Sequence, residues 1–146
     1  MEATPSETLT LCGSVSSVHN QIKWKIEYIE GHRIVQAKTS GRLSRGDIKK
    51  LIEEILAEGR QKNVNAFLLD QRETTLGLSV LEIDRLPEML SEIGFGPGDK
   101  AAVLVNPDSF KNTLLKFLQD VLSLSSLQIR VVSDFEKATA WLKMKN

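Results

Sequence analysis

Two short stretches, Ala66-Phe67-Leu68-Leu69 and Ala101-Ala102-Val103-Leu104-Val105, are apolar at every position. A strand with one wet face alternates apolar and polar residues, so a strand that is apolar on both faces must be covered on both. Such strands lie in the middle of an α/β sheet, and this constrains the rest of the chain. The rest of the chain has to supply the covering helices and the outer strands.

They do so in a regular order. Ile22, Trp24, Ile26 and Tyr28 alternate with Lys23, Lys25 and Glu27, the two-residue period of a half-buried strand. Glu30-Gly31-His32 suits a turn, and Arg33 to Thr39 suits a returning strand, with Gly41 as its punctuation. Ser44 with Asp47 predicts a helix start, Ile48, Leu51, Ile52 and Ile55 form its apolar stripe, and Gly59 is expected to end it. Gln71 to Gly77 reads as a loop after the strand at 66–69. Ser79 with Glu82 is a second capping box, opening a helix that turns Leu81, Leu86, Leu90 and Ile93 inward, with Pro87 kinking or restarting it. Asn106 before Pro107 predicts another helix start, continuing through residue 124. Leu127 to Val132 reads as the last strand. Ser133 with Glu136 is expected to cap a final helix that buries Ala138, Trp141 and Leu142.

The expected fold class is therefore α/β, in the order β-β-α-β-α-β-α-β-α. The sheet is mixed and mostly parallel, flanked by helices, with right-handed crossovers. Residues 21–146 are expected to form one domain. Residues 1–20, rich in Ser and Thr and without period, are expected to form a mobile tail, with Leu9 to Leu11 suited to an extra strand.

Several function classes lose support at this level. Lys and Arg number 19, as do Asp and Glu, so the formal net charge is zero and no broad basic field points to nucleic acid. No apolar run approaches the about 20 residues that cross a bilayer. The single Cys12 has no internal disulfide partner, and His19 and His32 stand apart from other metal-ligand residues, so neither a metal nor a cofactor is expected. The opening residues lack the pattern of a secretory signal, and a cytoplasmic location is expected. Gly94-Phe95-Gly96-Pro97-Gly98-Asp99-Lys100 superficially resembles a phosphate loop, but it follows a helix and precedes a strand, so it reads as a turn. No G-x-S-x-G elbow is present, and spacing defines no acid–base dyad, so no catalytic residue is assigned.

Open α/β sheets bind at the carboxyl ends of their strands. Asp70 and Arg72, just past the strand at 66–69, suit either an ion pair that holds the loop or contacts to a partner. Ser79 suits a helix cap, and its hydroxyl is also placed for phosphorylation, with the added charge near the helix amino terminus. Phe110, Leu114 and Phe117, on the broadest apolar face in the chain, suit the core or an apolar groove.

Taken in order, these segments resemble the SpoIIAA-like family, bacterial relatives of the STAS domain whose fold is also compared with the CRAL-TRIO lipid-binding domain. The resemblance runs over about residues 22–142. It rests on the opening hairpin, Gly41-Arg42-Leu43-Ser44 with Asp47, Leu69-Asp70 with Arg72, Lys100-Ala101-Ala102-Val103-Leu104, and Val131 to Leu142. It implies a small, non-enzymatic regulatory or protein-interaction module that binds a protein partner and forms homodimers. The alternative is a carrier of a small apolar ligand or lipid. In the anti-sigma factor antagonists of this family, a serine at the start of the helix after the central strand is the phosphorylation switch, and Ser79 holds the similar place. Those proteins carry Asp before that serine and a Ser-Gly pair after it, whereas here the neighbours are Leu78, Val80 and Leu81.

Overall fold

The computed structural model describes residues 23–144; the expected tail at 1–20 and Ile22 lie outside the described residues. Strand β1 (Lys23–Ile29) pairs antiparallel with β2 (Ile34–Leu43), from Ile29 opposite Ile34 to Lys23 opposite Ser40. Trp24, Ile26 and Tyr28 pack on the main core, while Lys25 and Glu27 face solvent. The turn between the strands places Arg33 in the left-handed region at φ 53°, and its guanidinium donates to the Asn63 carbonyl at 3.2 Å.

Helix α1 (Arg45–Lys62) begins as the spacing predicts: Ser44 and Asp47 complete a reciprocal capping box. Its end differs from expectation. The helix runs past Gly59 and closes at Asn63, which takes the left-handed cap conformation at φ 60°. Gly59 is needed for closeness instead. A Cβ there would lie 2.7 Å from both the Phe67 ring and the Val64 carbonyl, so only glycine lets β3 pass this near to the helix.

Strand β3 (Ala66–Leu76) is longer than its apolar run, and the expected loop at 71–77 is mostly strand. Its polar half pairs parallel with the far end of β2, Ser40 to Leu43 against Glu73 to Leu76, after a bulge between Lys38 and Ser40. Gly41, at φ 95°, therefore lies inside β2 and does not end it. Strands β4 (Lys100–Leu104) and β5 (Gln128–Val132) follow, each parallel to its predecessor, so the sheet order β1-β2-β3-β4-β5 repeats the chain order.

That order fixes the layers. Right-handed crossovers that always step the same way put their helices on the same face. Helices α1, α2 (Val80–Asp84), α3 (Leu86–Glu92) and α4 (Thr113–Leu124) accordingly share the main core with Val35, Phe67, Leu69, Ala101 and Val103. Among the described residues, helix α5 (Phe135–Lys143) alone covers the other face, closing Ile34, Leu68, Ala102 and Leu104 under Ala138 and Leu142. Trp24 and Trp141 are half-buried at the margins of these two clusters.

One local detail follows the sequence reading and three correct it. The helix expected from Ser79 breaks at Arg85 and restarts at Leu86, where Pro87 occupies the first turn and needs no amide partner. In the short α2, Leu81 points to solvent at 73% exposure, because Leu78 and Ile83 fill the core side. Pro107 opens only a 3-10 turn, Pro107–Lys111, and α4 starts afresh where the Asn112 side chain accepts from the Leu114 and Leu115 amides. Helix α5 is capped by Asp134, one residue beyond Ser133, through the Lys137 amide. The segment from Gly94 to Lys100 is the expected turn, pinned by Asp99, which accepts from the Gly96 amide and from both terminal nitrogens of Arg60 at 2.8 Å.

Candidate functional site

The middle of β3, level with the carboxyl end of β4, presents the polar groups that the sequence singles out. Asp70 follows Leu68 by one strand period, so its side chain lies on the α5 face of the sheet, opposite the main core. The carboxylate is 7% exposed and holds Arg72 in a two-point pair: Nε to Oδ1 at 3.0 Å and Nη2 to Oδ2 at 2.8 Å. The Arg72 amide also donates to Oδ1 at 3.2 Å. Burial acts to push the Asp70 carboxyl up, but the bonds from the Arg72 guanidinium and amide, with the Arg72 and Lys38 charges, outweigh it. The net result is a carboxyl below its ordinary range. The Arg72 guanidinium, bonded to Asp70, is correspondingly held above its own.

Asn106, read from the sequence as a helix cap, serves this pair instead. Its side-chain amide donates to the Arg72 carbonyl at 2.7 Å, tying the start of the β4–α4 connection to β3. On the neighbouring ribbon the Thr39 and Thr74 hydroxyls bond to each other, and Thr39 also reaches the Asp70 carbonyl. The Asp70–Arg72 pair is thus tied into the backbone of two strands. Its guanidinium remains 46% exposed and able to meet a partner.

Ser79 stands elsewhere, at the amino terminus of α2 on the helical face. Its hydroxyl accepts from the Glu82 amide at 3.2 Å, and the Glu82 carboxylate accepts from the Ser79 amide at 2.9 Å. Among the described residues no hydrogen bond or ion pair joins Ser79 to Asp70 or Arg72. The residues after Ser79 stand out physically. Val80 is 54% exposed and Leu81 73%, two apolar side chains in water directly beside an exposed hydroxyl. Sequence phase missed them because a five-residue helix offers too few positions to set its inner face. The signal that was available is that Leu78, before the cap, already fills the inward role.

The residues that suit an apolar groove lie on α4 and on the 3-10 turn before it. Leu114 and Phe117 are half-buried and pack against the main core, and the side chain of Phe110 lies outside the described residues. Between the sheet and the helices is an apolar cavity of about 60 Å³, bordered by Leu51, Leu69, Phe95, Val103 and Leu118. Small-molecule pockets begin near ~300 Å³. A second cleft of about 180 Å³, between the polar end of β3 and the start of α4, is bordered by Gln71, Thr74, Thr75, Ser109 and Asn112. Among the described residues no three His, Cys, Asp or Glu side chains gather as a metal site would require. No described helix is long and apolar enough to cross a membrane.

No protein-family model and no curated protein sequence matches the chain. Solved structures do match in shape. An anti-sigma factor antagonist from Mycobacterium paratuberculosis superposes with a TM-score of 0.59 at 14% identity, covering 88% of this chain and 100% of that one. An uncharacterised protein of the DUF3478 family from Shewanella loihica, described as having a SpoIIAA-like fold, gives 0.53 at 20% identity, covering 89% and 99%. At these identities the likeness is one of architecture. The chain has the STAS/SpoIIAA-like fold.

Proposed function

We propose that the protein is a regulatory interaction module that binds a protein partner through the amino-terminal end of α2. One observation carries this reading: Val80 and Leu81 expose apolar surface next to Ser79, while Leu78 and Ile83 on either side are buried at 5% and 0%. Fully burying one such side chain in an interface is worth about 1.5–3 kcal/mol, enough to make the pair an anchor. The shared architecture with an anti-sigma factor antagonist supports a role in which the module acts by contact.

Ser79 is the residue at which such contact is best regulated. A phosphate there would carry nearly two negative charges. It would meet the Glu82 carboxylate, which bonds the Ser79 amide, and would displace it from the capping box. Modification would therefore remodel the first turn of α2, directly beneath Val80 and Leu81.

Cross-linking in extract identifies the partner, and binding is then measured with both proteins purified. Leu81→Asp is expected to weaken that binding by roughly tenfold or more while leaving the melting temperature unchanged. Wild-type affinity in this variant would remove the proposed surface. Ser79→Ala should cost about 1 kcal/mol of stability through the lost cap, whereas Ser79→Asp keeps a capping oxygen and the stability with it. If the two Ser79 variants bind the partner alike, regulation at Ser79 is excluded.

A further inference from the structure

The opposite end of the sheet, where the parallel strands begin, carries a second polar feature unconnected with α2. The β1–β2 turn, the α1–β3 and α3–β4 connections and the end of α5 enclose an open recess of about 570 Å³. Its border includes Arg33, Lys100 and Lys143, together with His32 and Asn65, and among the described residues no Asp or Glu. Asp99, the carboxylate beside Lys100 in sequence, is already held at two points by Arg60.

Two atoms at this recess are incompletely served. Lys100 is only 7% exposed, and its ammonium donates to the Trp141 and Met144 carbonyls at 3.1 and 2.6 Å, over the face of the Trp141 ring. Among the described residues it has no carboxylate partner. Buried charges are ordinarily paired, and the carbonyls that end a helix supply only partial compensation. His32, on the same border, keeps its Nδ1 out of solvent and without a hydrogen-bond partner among the described groups.

From this we infer that the recess binds a small oxyanion of the phosphate class, free or as a soluble phosphomonoester. Arg33 supplies a planar guanidinium suited to two oxygens, Lys143 a mobile point charge at the rim, and Lys100 the buried positive field. The site draws on three connections and the end of α5, and is independent of the partner surface on α2.

Titration calorimetry of the whole chain with inorganic phosphate and with a sugar phosphate, at matched ionic strength, tests this. Saturable millimolar or tighter binding is expected. A stronger response to the sugar phosphate identifies an ester as the preferred form, and an equal response identifies the free ion. Lys143→Ala, at an exposed position, and Arg33→Asn, which tolerates the left-handed backbone, should each weaken binding roughly tenfold. Lys25→Ala, on the distant hairpin face, should not. Absence of saturable binding in the wild type, or unchanged affinity in Lys143→Ala, overturns the assignment. Should Arg33→Asn fail to fold, Lys143→Ala decides alone.

Discussion

Replacing Phe67 by alanine is expected to lower the unfolding free energy by about 3–5 kcal/mol, the largest effect of any single change considered for this protein. The ring is fully buried on β3, packs on Phe95 with centroids 6.4 Å apart, and lies under Gly59 of α1. Its loss opens a void where the sheet meets two elements of the helical layer. Domains of this size are stable by about 5–15 kcal/mol, so much of the margin is at stake. Urea denaturation followed by circular dichroism reads it directly. The reciprocal change, Gly59→Ala, crowds the same contact and should cost about 1–3 kcal/mol. Combining Gly59→Ala with Phe67→Leu relieves the clash with the ring but not with the Val64 carbonyl, which is backbone and cannot rotate away. The double variant should therefore recover only part of the Gly59→Ala loss. Full additivity of the two changes would mean that ring and helix are not in the contact described.

The second large effect concerns the Asp70–Arg72 pair, and it is asymmetric. Arg72→Ala leaves a buried carboxylate without its guanidinium, at a cost of about 1–3 kcal/mol near neutral pH. Asp70→Asn leaves Arg72 half-exposed and free to turn to water, so it should cost less. Acid distinguishes the two roles. The folded Asp70 carboxyl lies below its ordinary value, so the unfolded chain takes up its proton first as pH falls. The stability from the pair is present in full above the unfolded carboxyl value near about 3.9 and is lost as pH drops through the lower folded value. In Arg72→Ala the main lowering influence is gone and burial dominates, so the folded carboxyl rises. The gap between wild type and Arg72→Ala should then begin to narrow above about pH 4, as the variant's raised carboxyl takes up its proton, and go on narrowing until the wild-type carboxyl is protonated in turn. A gap that stays constant from neutral to pH 3 on chemical denaturation would show that the pair contributes no charge-dependent stability.

How much of this was legible beforehand depends on whether the signal was local. The runs at Ala66–Leu69 and Ala101–Val105 declared central strands because their side chains are covered on both faces. The boxes Ser44/Asp47 and Ser79/Glu82 declared helix starts because both partners lie within one turn. Asp70 and Arg72 were readable as an ion pair because opposite charges two residues apart, just past an apolar run, can reach each other. The polar half of β3 was not readable. Glu73 to Leu76 is held by backbone bonds to β2, and its Thr and Glu side chains carry no strand pattern. Gly59 misled because glycine marks both helix ends and close packing, and only the Phe67 ring shows which applies. Asn106 misled because its cap position was genuine in sequence while its side chain was taken by the Arg72 carbonyl. The basic recess had no sequence signature at all, since its residues come from positions as far apart as His32 and Lys143.

The sheet's agreement with chain order has a consequence for how the molecule is made. Each new strand docks on the one synthesised just before it, so no earlier strand waits for a distant partner, and assembly proceeds by addition at one growing margin. The reverse side of that growing sheet stays bare throughout. Among the described residues, Leu68, Ala102 and Leu104 are sheltered once Ala138 and Leu142 arrive, after all five strands have been made. Helix α5 thus works as a late bolt. Until it slides home, the nascent protein carries an oily flank that chaperones would recognise.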